Sequence, residues 1–191
     1  HFEELGRPGR LLHGGFGLLT VGNLAKPKYW ALALAQRLGD TALPATLTGD
    51  GADSLVEAWA ARSAAGEVGV LVWNGTLDHG KAGGDPALAR RVTVRVTGLA
   101  DRPYALRRWR VDEEHNNVAA RWRALAGAHA DWPDEAQWAE LAAADRLDEL
   151  PPGEVGPGPH GTVEVELALP MPGIAYLELS PRSWPDRPSE G

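Results

Sequence analysis

Two carboxylates stand side by side near the start of the chain, Glu3 and Glu4, directly after Phe2. Such a pair does acid and nucleophile work on one glycosidic bond only when the groups face each other about 5–5.5 Å apart. Neighbours on an extended chain point to opposite sides, so this pair suits a different task, accepting hydrogen bonds from two ligand hydroxyls. A solvated acidic loop would carry the same residues, because exposed carboxylates are the norm. The run Asp112-Glu113-Glu114-His115-Asn116-Asn117 is a second cluster, with three carboxylates and an imidazole in four positions. Its spacing places no ligand set on one helical face and no second His stands nearby. It reads as a structural junction in which Asp112 or Asn116 caps a helix. His13 with Gly14, Gly15 and Gly17 lacks the Gly-Lys-Ser/Thr ending of a phosphate loop and does not fit the dinucleotide fingerprint. The glycines there serve close backbone approach, and His13 reads as a packed, hydrogen-bonded residue. His79, His129 and His160 are scattered. No Ser lies in a Gly-x-Ser-x-Gly elbow, and the chain has no Cys, hence neither a thiolate nucleophile nor a disulfide framework. The residues call for no metal and no cofactor.

The elements that must position these groups follow from periodicity and punctuation. Pro27 suits the first helical position and Gly39 the residue just past a helix end. Between them Trp30, Leu34 and Leu38 form one apolar stripe that needs a partner surface. Beyond Asp40 the pattern changes to strands. Short extended runs are expected at 45–48, 55–62 and 68–73, the last closed by the turn dipeptide Asn74-Gly75. Val92, Val94 and Val96 alternate with polar residues, as do Val163, Val165, Leu167 and Leu169. The runs 104–111 and 174–179 complete a set of about seven strands, which argues for a mainly β chain folded as an antiparallel β-sandwich. Two helices interrupt it, at 118–127 and after Asp134, where Gln137 completes a capping-box spacing. The segment 151–159 holds four prolines and three glycines and reads as a loop.

Composition bounds the function. In 191 residues, 43% hydrophobic, a packed core is available. The net charge of −7 has its signs interleaved, so no nucleic-acid footprint is present. No stretch approaches the roughly 18 apolar residues of a membrane span. Eight Trp against three Tyr and two Phe is unusual. Indoles line sugar sites, but at helix-interior and strand-core spacings Trp30, Trp59, Trp73, Trp109, Trp122 and Trp138 read mostly as packing residues.

The opening stretch, Phe2-Glu3-Glu4, then His13-Gly14-Gly15-Phe16-Gly17, then Lys26-Pro27-Lys28-Tyr29, closely resembles the closing segment of the catalytic barrel in glycoside hydrolase family 39, the β-xylosidase and α-L-iduronidase family. The turn Asp112-Glu113 to Asn117, leading into a helix with Trp122, is similar to a second family motif. The resemblance implies that residues 1–40 are the C-terminal end of a (β/α)8 barrel, its last loop and helix, and that the helix stripe lies against that barrel. Residues 41–180 would be a β-sandwich accessory domain with a helical insertion at about 117–147, and residues 181–191 a flexible tail. It further implies a parent enzyme that hydrolyses terminal β-xylosyl residues of oligosaccharides with retention. The acid and nucleophile Glu would come from earlier barrel strands, so no residue of this chain is catalytic and the chain alone is inactive. Glu3 and Glu4 would bind sugar hydroxyls, Phe2 would shape the pocket wall, and the sandwich would brace the barrel. The partner is then an oligosaccharide or glycoside, with neither nucleic acid nor membrane. Two alternatives stay open. A non-catalytic carbohydrate-binding or structural sandwich would display exposed aromatics on a strand face. An iduronidase-like enzyme would need cations near a sugar carboxylate, for which Arg7 and Arg10 are close. Oligomeric state and compartment are not fixed by sequence.

Overall fold

A computed structural model of the chain describes residues 9–14, 16–81, 83–126 and 131–182. Among them, helix α1 (Pro27–Ala35) precedes strands β1 (Thr41–Leu43), β2 (Val56–Arg62), β3 (Val68–Asn74), β4 (Arg90–Val96) and β5 (Tyr104–Val111). Helices α2 (Val118–Ala126) and α3 (Glu135–Ala143) then interrupt the strands, which resume as β6 (Gly153–Val155), β7 (Val163–Leu169) and β8 (Gly173–Pro181). The strands form a six-stranded antiparallel sheet, ordered β1-β2-β3-β8-β5-β6, and a two-stranded ladder of β4 with β7. This is the expected sandwich with two inserted helices.

Register explains the layers. Val68, Val70 and Val72 share a face with Ala175, Leu177 and Leu179, because Val70 pairs with Leu177 and the period is two. That face meets Val163, Val165, Leu167 and Leu169 of β7, and Val92, Val94 and Val96 of β4, in one core. The outward positions of the ladder carry charge instead, with Arg95 donating to Glu164 at 2.6 Å. Asn74 ends β3 inside the core, fully buried, and its amide donates to the carbonyls of Leu88 and Leu169 at 2.8 and 3.1 Å. Its paired amide hydrogens fix where the β3 end, the 86–88 turn and the β7 end meet.

The opposite face of the large sheet receives α1. Leu34, fully buried, packs with Leu71, Trp109, Val111 and Tyr176, and Trp30 and Leu38 flank it. Trp109 lies under two guanidinium groups, Arg37 at 4.3 Å and Arg107 at 4.7 Å from the ring centre. The Tyr176 hydroxyl donates to the Arg37 carbonyl at 2.9 Å, and burial, with Glu178 nearby, pushes its phenol up to about 12. The hydroxyl therefore remains a donor throughout the neutral range. The stripe of Trp30, Leu34 and Leu38 thus finds its surface on the sandwich sheet within this chain, and the expectation that a barrel supplies that surface is corrected. The reason is chemical: β3, β5 and β8 present large apolar and aromatic groups on both faces, and a half-covered sheet must bury the second face.

Three local expectations also change. The strand placed at 45–48 lies instead at Thr41–Leu43, paired with Ala60–Arg62, and stops before Pro44, which has no N–H to donate. The helix ends at Ala35 with Gln36 as its cap, short of Leu38. Gly39 serves close approach rather than helix termination, since a Cβ there would lie 2.3 Å from the Arg62 backbone. The Pro-rich segment 151–159 contains a short edge strand, β6, that pairs with Tyr104–Leu106. An edge strand needs partners on one side alone, so flanking prolines do not forbid it.

Candidate functional site

Phe2, Glu3 and Glu4 lie outside the described residues. The segment that follows them, residues 9–26, is built as a tight, locked loop. Leu19 bridges Ala25, Lys26 N–H donates to Leu18 O at 2.9 Å and Thr20 N–H to Leu24 O at 2.9 Å. The fully buried Thr20 closes the turn by accepting Leu24 N–H on its hydroxyl at 3.1 Å, with Asn23 in the left-handed region at φ 63°. In the glycine-rich part, Gly14 and Gly17 have φ of 92° and 96°, which a side chain would resist. The buried Lys26 donates its ammonium to the Phe16 carbonyl at 3.4 Å, while the Phe16 ring stands 92% exposed at the tip. The sequence marked Lys26 only as part of the motif Lys26-Pro27-Lys28-Tyr29; its burial is decided by the fold.

The helical insertion holds this loop. Leu11 and Leu24 are buried with Val118, Trp122 and Leu141, and Leu12, Leu125 and Trp138 pack around them. Leu11 N–H donates to Asp131 O at 2.8 Å, the Trp132 indole N–H donates to Gly9 O at 3.1 Å, and Ala25 N–H donates to the Asp145 carboxylate at 3.0 Å. The helices carrying these groups are well specified. Asp134 and Gln137 form the expected capping box on α3, and the Gln137 amide donates across to Leu125 O at 3.1 Å. Arg121 of α2 pairs with Glu140 of α3.

The cluster around Asp112 roots the insertion in the sandwich. The Asp112 side chain is buried and takes Arg110 Nε at 2.8 Å, the N–H groups of Glu114 and His115 at 2.9 and 3.0 Å, and His115 Nδ1 at 2.9 Å. Burial pulls its pKa upward, but these hydrogen bonds and the Arg110 charge prevail and hold it below the usual carboxylate value. Every oxygen is occupied, so the group is a structural hub. The cap of α2 is Asn117, whose side-chain oxygen accepts Ala120 N–H at 3.0 Å, and not Asp112 or Asn116 as expected. Asn116, at φ 51°, instead ties Arg110 O to the Asp148 backbone. Asp112 is consumed by its own turn, which leaves the cap to the last residue before the helix. Among the described residues no group of three or more His, Asp and Glu is arranged to hold a metal ion. His13 is half-buried on the locked loop.

The Trp expectation divides. Trp109 and Trp122 are buried, but Trp59 is 57% exposed on the outer sheet face, with its ring edge against Trp73 at 5.1 Å. A shallow open groove of about 460 Å³ runs beside it, lined by residues from Leu38 to Ala45 and from Ala58 to Ala61. Among the described residues no helix is long and apolar enough to cross a membrane.

The pattern defining Glycosyl hydrolases family 39 matches residues 1–151. A β-xylosidase of Geobacillus stearothermophilus is 27% identical over 124 residues, which cover 65% of this chain and 22% of that protein. The GH39 enzyme from Xanthomonas axonopodis pv. citri superposes with a TM-score of 0.74 at 20% identity, over 95% of this chain and 36% of its own. A monomeric β-xylosidase from Caulobacter crescentus CB15 superposes at 0.71 with 22% identity, over 95% and 36%. At these identities the likeness to the solved structures is one of fold, and the chain spans about a third of their length or less. The family match takes in the locked loop, α1, the strands through β5 and both inserted helices together, and the chain belongs to glycoside hydrolase family 39.

Proposed function

We propose that this chain is the C-terminal part of a retaining glycosidase that removes terminal β-xylosyl residues from short oligosaccharides. The observation that carries the reading is the family match over residues 1–151, joined to a β-xylosidase relative aligned to 65% of the chain. In retaining hydrolysis one carboxylate attacks the anomeric carbon while a carboxylic acid protonates the departing oxygen. Water then releases the sugar from the glycosyl-enzyme. Both of those Glu belong to earlier barrel strands. This chain supplies binding: Glu3 and Glu4 accept hydrogen bonds from sugar hydroxyls, and Phe2 forms pocket wall. Residues 1–40 are the end of the barrel and 41–180 the sandwich. The division near residue 40 marks a junction of architectures that α1 packs across.

The test is kinetic. In the full-length enzyme, Glu3→Gln and Glu4→Gln each lose a charged acceptor, worth about 1.5–3 kcal/mol, or roughly 10- to 150-fold in kcat/KM on an aryl β-xyloside. Unchanged constants for both variants would return the pair to a solvated surface. The chain of 191 residues alone gives no turnover of that substrate, because it holds neither carboxylate of the retaining pair. Activity that survives repurification would overturn this.

A further inference from the structure

We infer that the outer face of the sheet around Trp59 is a second carbohydrate-binding surface, which holds internal units of a neutral β-linked polysaccharide. The choice of a xylan-type chain as its ligand rests on the β-xylosidase reading above. The surface itself is built from β1, β2 and the turn that leads into β1. Trp59 is in register with Leu71, and Glu57, two positions earlier on the same outward face, is in register with Trp73. An indole in mid-strand is ordinarily covered, yet this one is 57% exposed. Its orientation is fixed all the same, because the Trp73 ring meets it edge-on at 5.1 Å and 76°. Toward β1 its neighbours are small: Ala61 follows on the same face, and Ala42 is in register with Ala61. The groove of about 460 Å³ lies along these residues, beside the ring.

The chemistry of the groove selects its occupant. An indole face is the negative side of the ring quadrupole and matches the weakly positive C–H face of a pyranose. Sugar hydroxyls donate hydrogen bonds, and acceptors stand at the groove: Asp40 lines it, and Glu57 is exposed beside Trp73. Asp40 is brought there by a turn that Gly39 allows to lie against the Arg62 backbone, and it accepts from the Thr41 hydroxyl at 3.3 Å. Among the described residues no Lys or Arg lines the groove, so a uronate or phosphate meets only like charge. One large aromatic flanked by alanines suits a ligand one sugar wide. Protein interfaces gather several large anchors at their centre. The groove is open rather than enclosed, so it takes interior units of a chain. Together with a site that trims chain ends, it would hold the enzyme on its polymer by two-point attachment.

The experiment runs the full-length enzyme in native gels that contain soluble neutral xylan, mixed-linkage β-glucan or polygalacturonate. The expected result is retardation by xylan and none by the acidic polymer. Trp59→Ala weakens the affinity for xylan by about 10-fold or more, the scale on which a Trp anchor is lost, and Trp59→Phe weakens it less. Glu57→Gln and Asp40→Asn leave the ring pair intact and each weaken it by about 3- to 10-fold. Throughout, the Tm and the constants on an aryl β-xyloside stay unchanged. Wild-type enzyme that runs unretarded in every polysaccharide overturns the inference, and so does retardation that Trp59→Ala leaves intact. Equal retardation by polygalacturonate overturns the neutral ligand. A change of assembly size in Trp59→Ala on gel filtration makes the face a protein interface and overturns the sugar surface. Retardation by β-glucan alone keeps the surface and removes xylan as its ligand. The outcome is separable from the β-xylosidase reading. If the aryl β-xyloside is not turned over while Trp59→Ala abolishes retardation, the surface stands and that reading falls. Turnover without any Trp59-dependent retardation leaves the reading and removes the surface.

Discussion

At Asp112 a single carboxylate gathers an arginine, an imidazole and two backbone N–H groups at the mouth of the insertion. A buried acceptor with this many charged and polar partners is costly to alter, because Arg110, largely buried itself, is left uncompensated. Asp112→Asn is expected to cost about 1–3 kcal/mol at neutral pH. The sign with pH follows from linkage. The folded pKa lies below the ordinary value of 3.8, so the contribution is complete above that value and is lost as pH falls through the folded pKa. Urea unfolding of wild type and variant at pH 7 and near pH 3 should show their difference shrink at the lower pH. A gap that stays constant would mean that shape, rather than charge, is what the site needs.

Among the elements, α1 shows most clearly that one stripe can be read correctly and its partner misassigned. The spacing of Trp30, Leu34 and Leu38 does mark a buried side, and Leu34 is fully enclosed by Leu71, Trp109 and Tyr176. Leu32, by contrast, is 54% exposed on another side of the helix. Leu34→Ala should cost about 2–5 kcal/mol, the range for a buried leucine whose cavity cannot fully collapse. Leu32→Ala should stay within about 0.5 kcal/mol in the same chain. Denaturant midpoints of the two variants measure the contrast. Equal losses would place Leu32 in a contact formed in solution, and equal silence would detach α1 from the sheet.

For the whole molecule, these contacts join the segment ahead of β1 to the sandwich and its insertion at two separate places. The locked loop 9–26 is buried against α2 and α3, and α1 against the outer face of the six-stranded sheet. The chain should therefore unfold in one transition, with amides of 29–35 protected about as well as those of 92–96 in hydrogen exchange. Limited proteolysis should spare Gly39-Asp40, where the glycine abuts the Arg62 backbone, and cut first near Leu77, which is 96% exposed. An early fragment beginning at residue 40 would show that the two parts part company readily.

Local rules carried much of this structure. The alternation of Val92–Val96 and Val163–Leu169, the capping box at Asp134 and Gln137, Pro27 at the helix start and the sandwich class all follow from residue types and short spacings. Motif spelling in the first forty residues led to the family that the match over 1–151 bears out. What spacing could not supply was the identity of partners distant in sequence. Burial of Lys26, the Trp132 to Gly9 bond across 123 positions, the Asp145 contact across 120 and the sheet beneath Leu34 depend on how elements stack. So does the exposure of Trp59, whose strand position gives its face but not whether anything covers that face. Periodicity states that a side is apolar. Only the packed fold decides what meets it, because burial is a property of the pair of surfaces and not of either sequence segment.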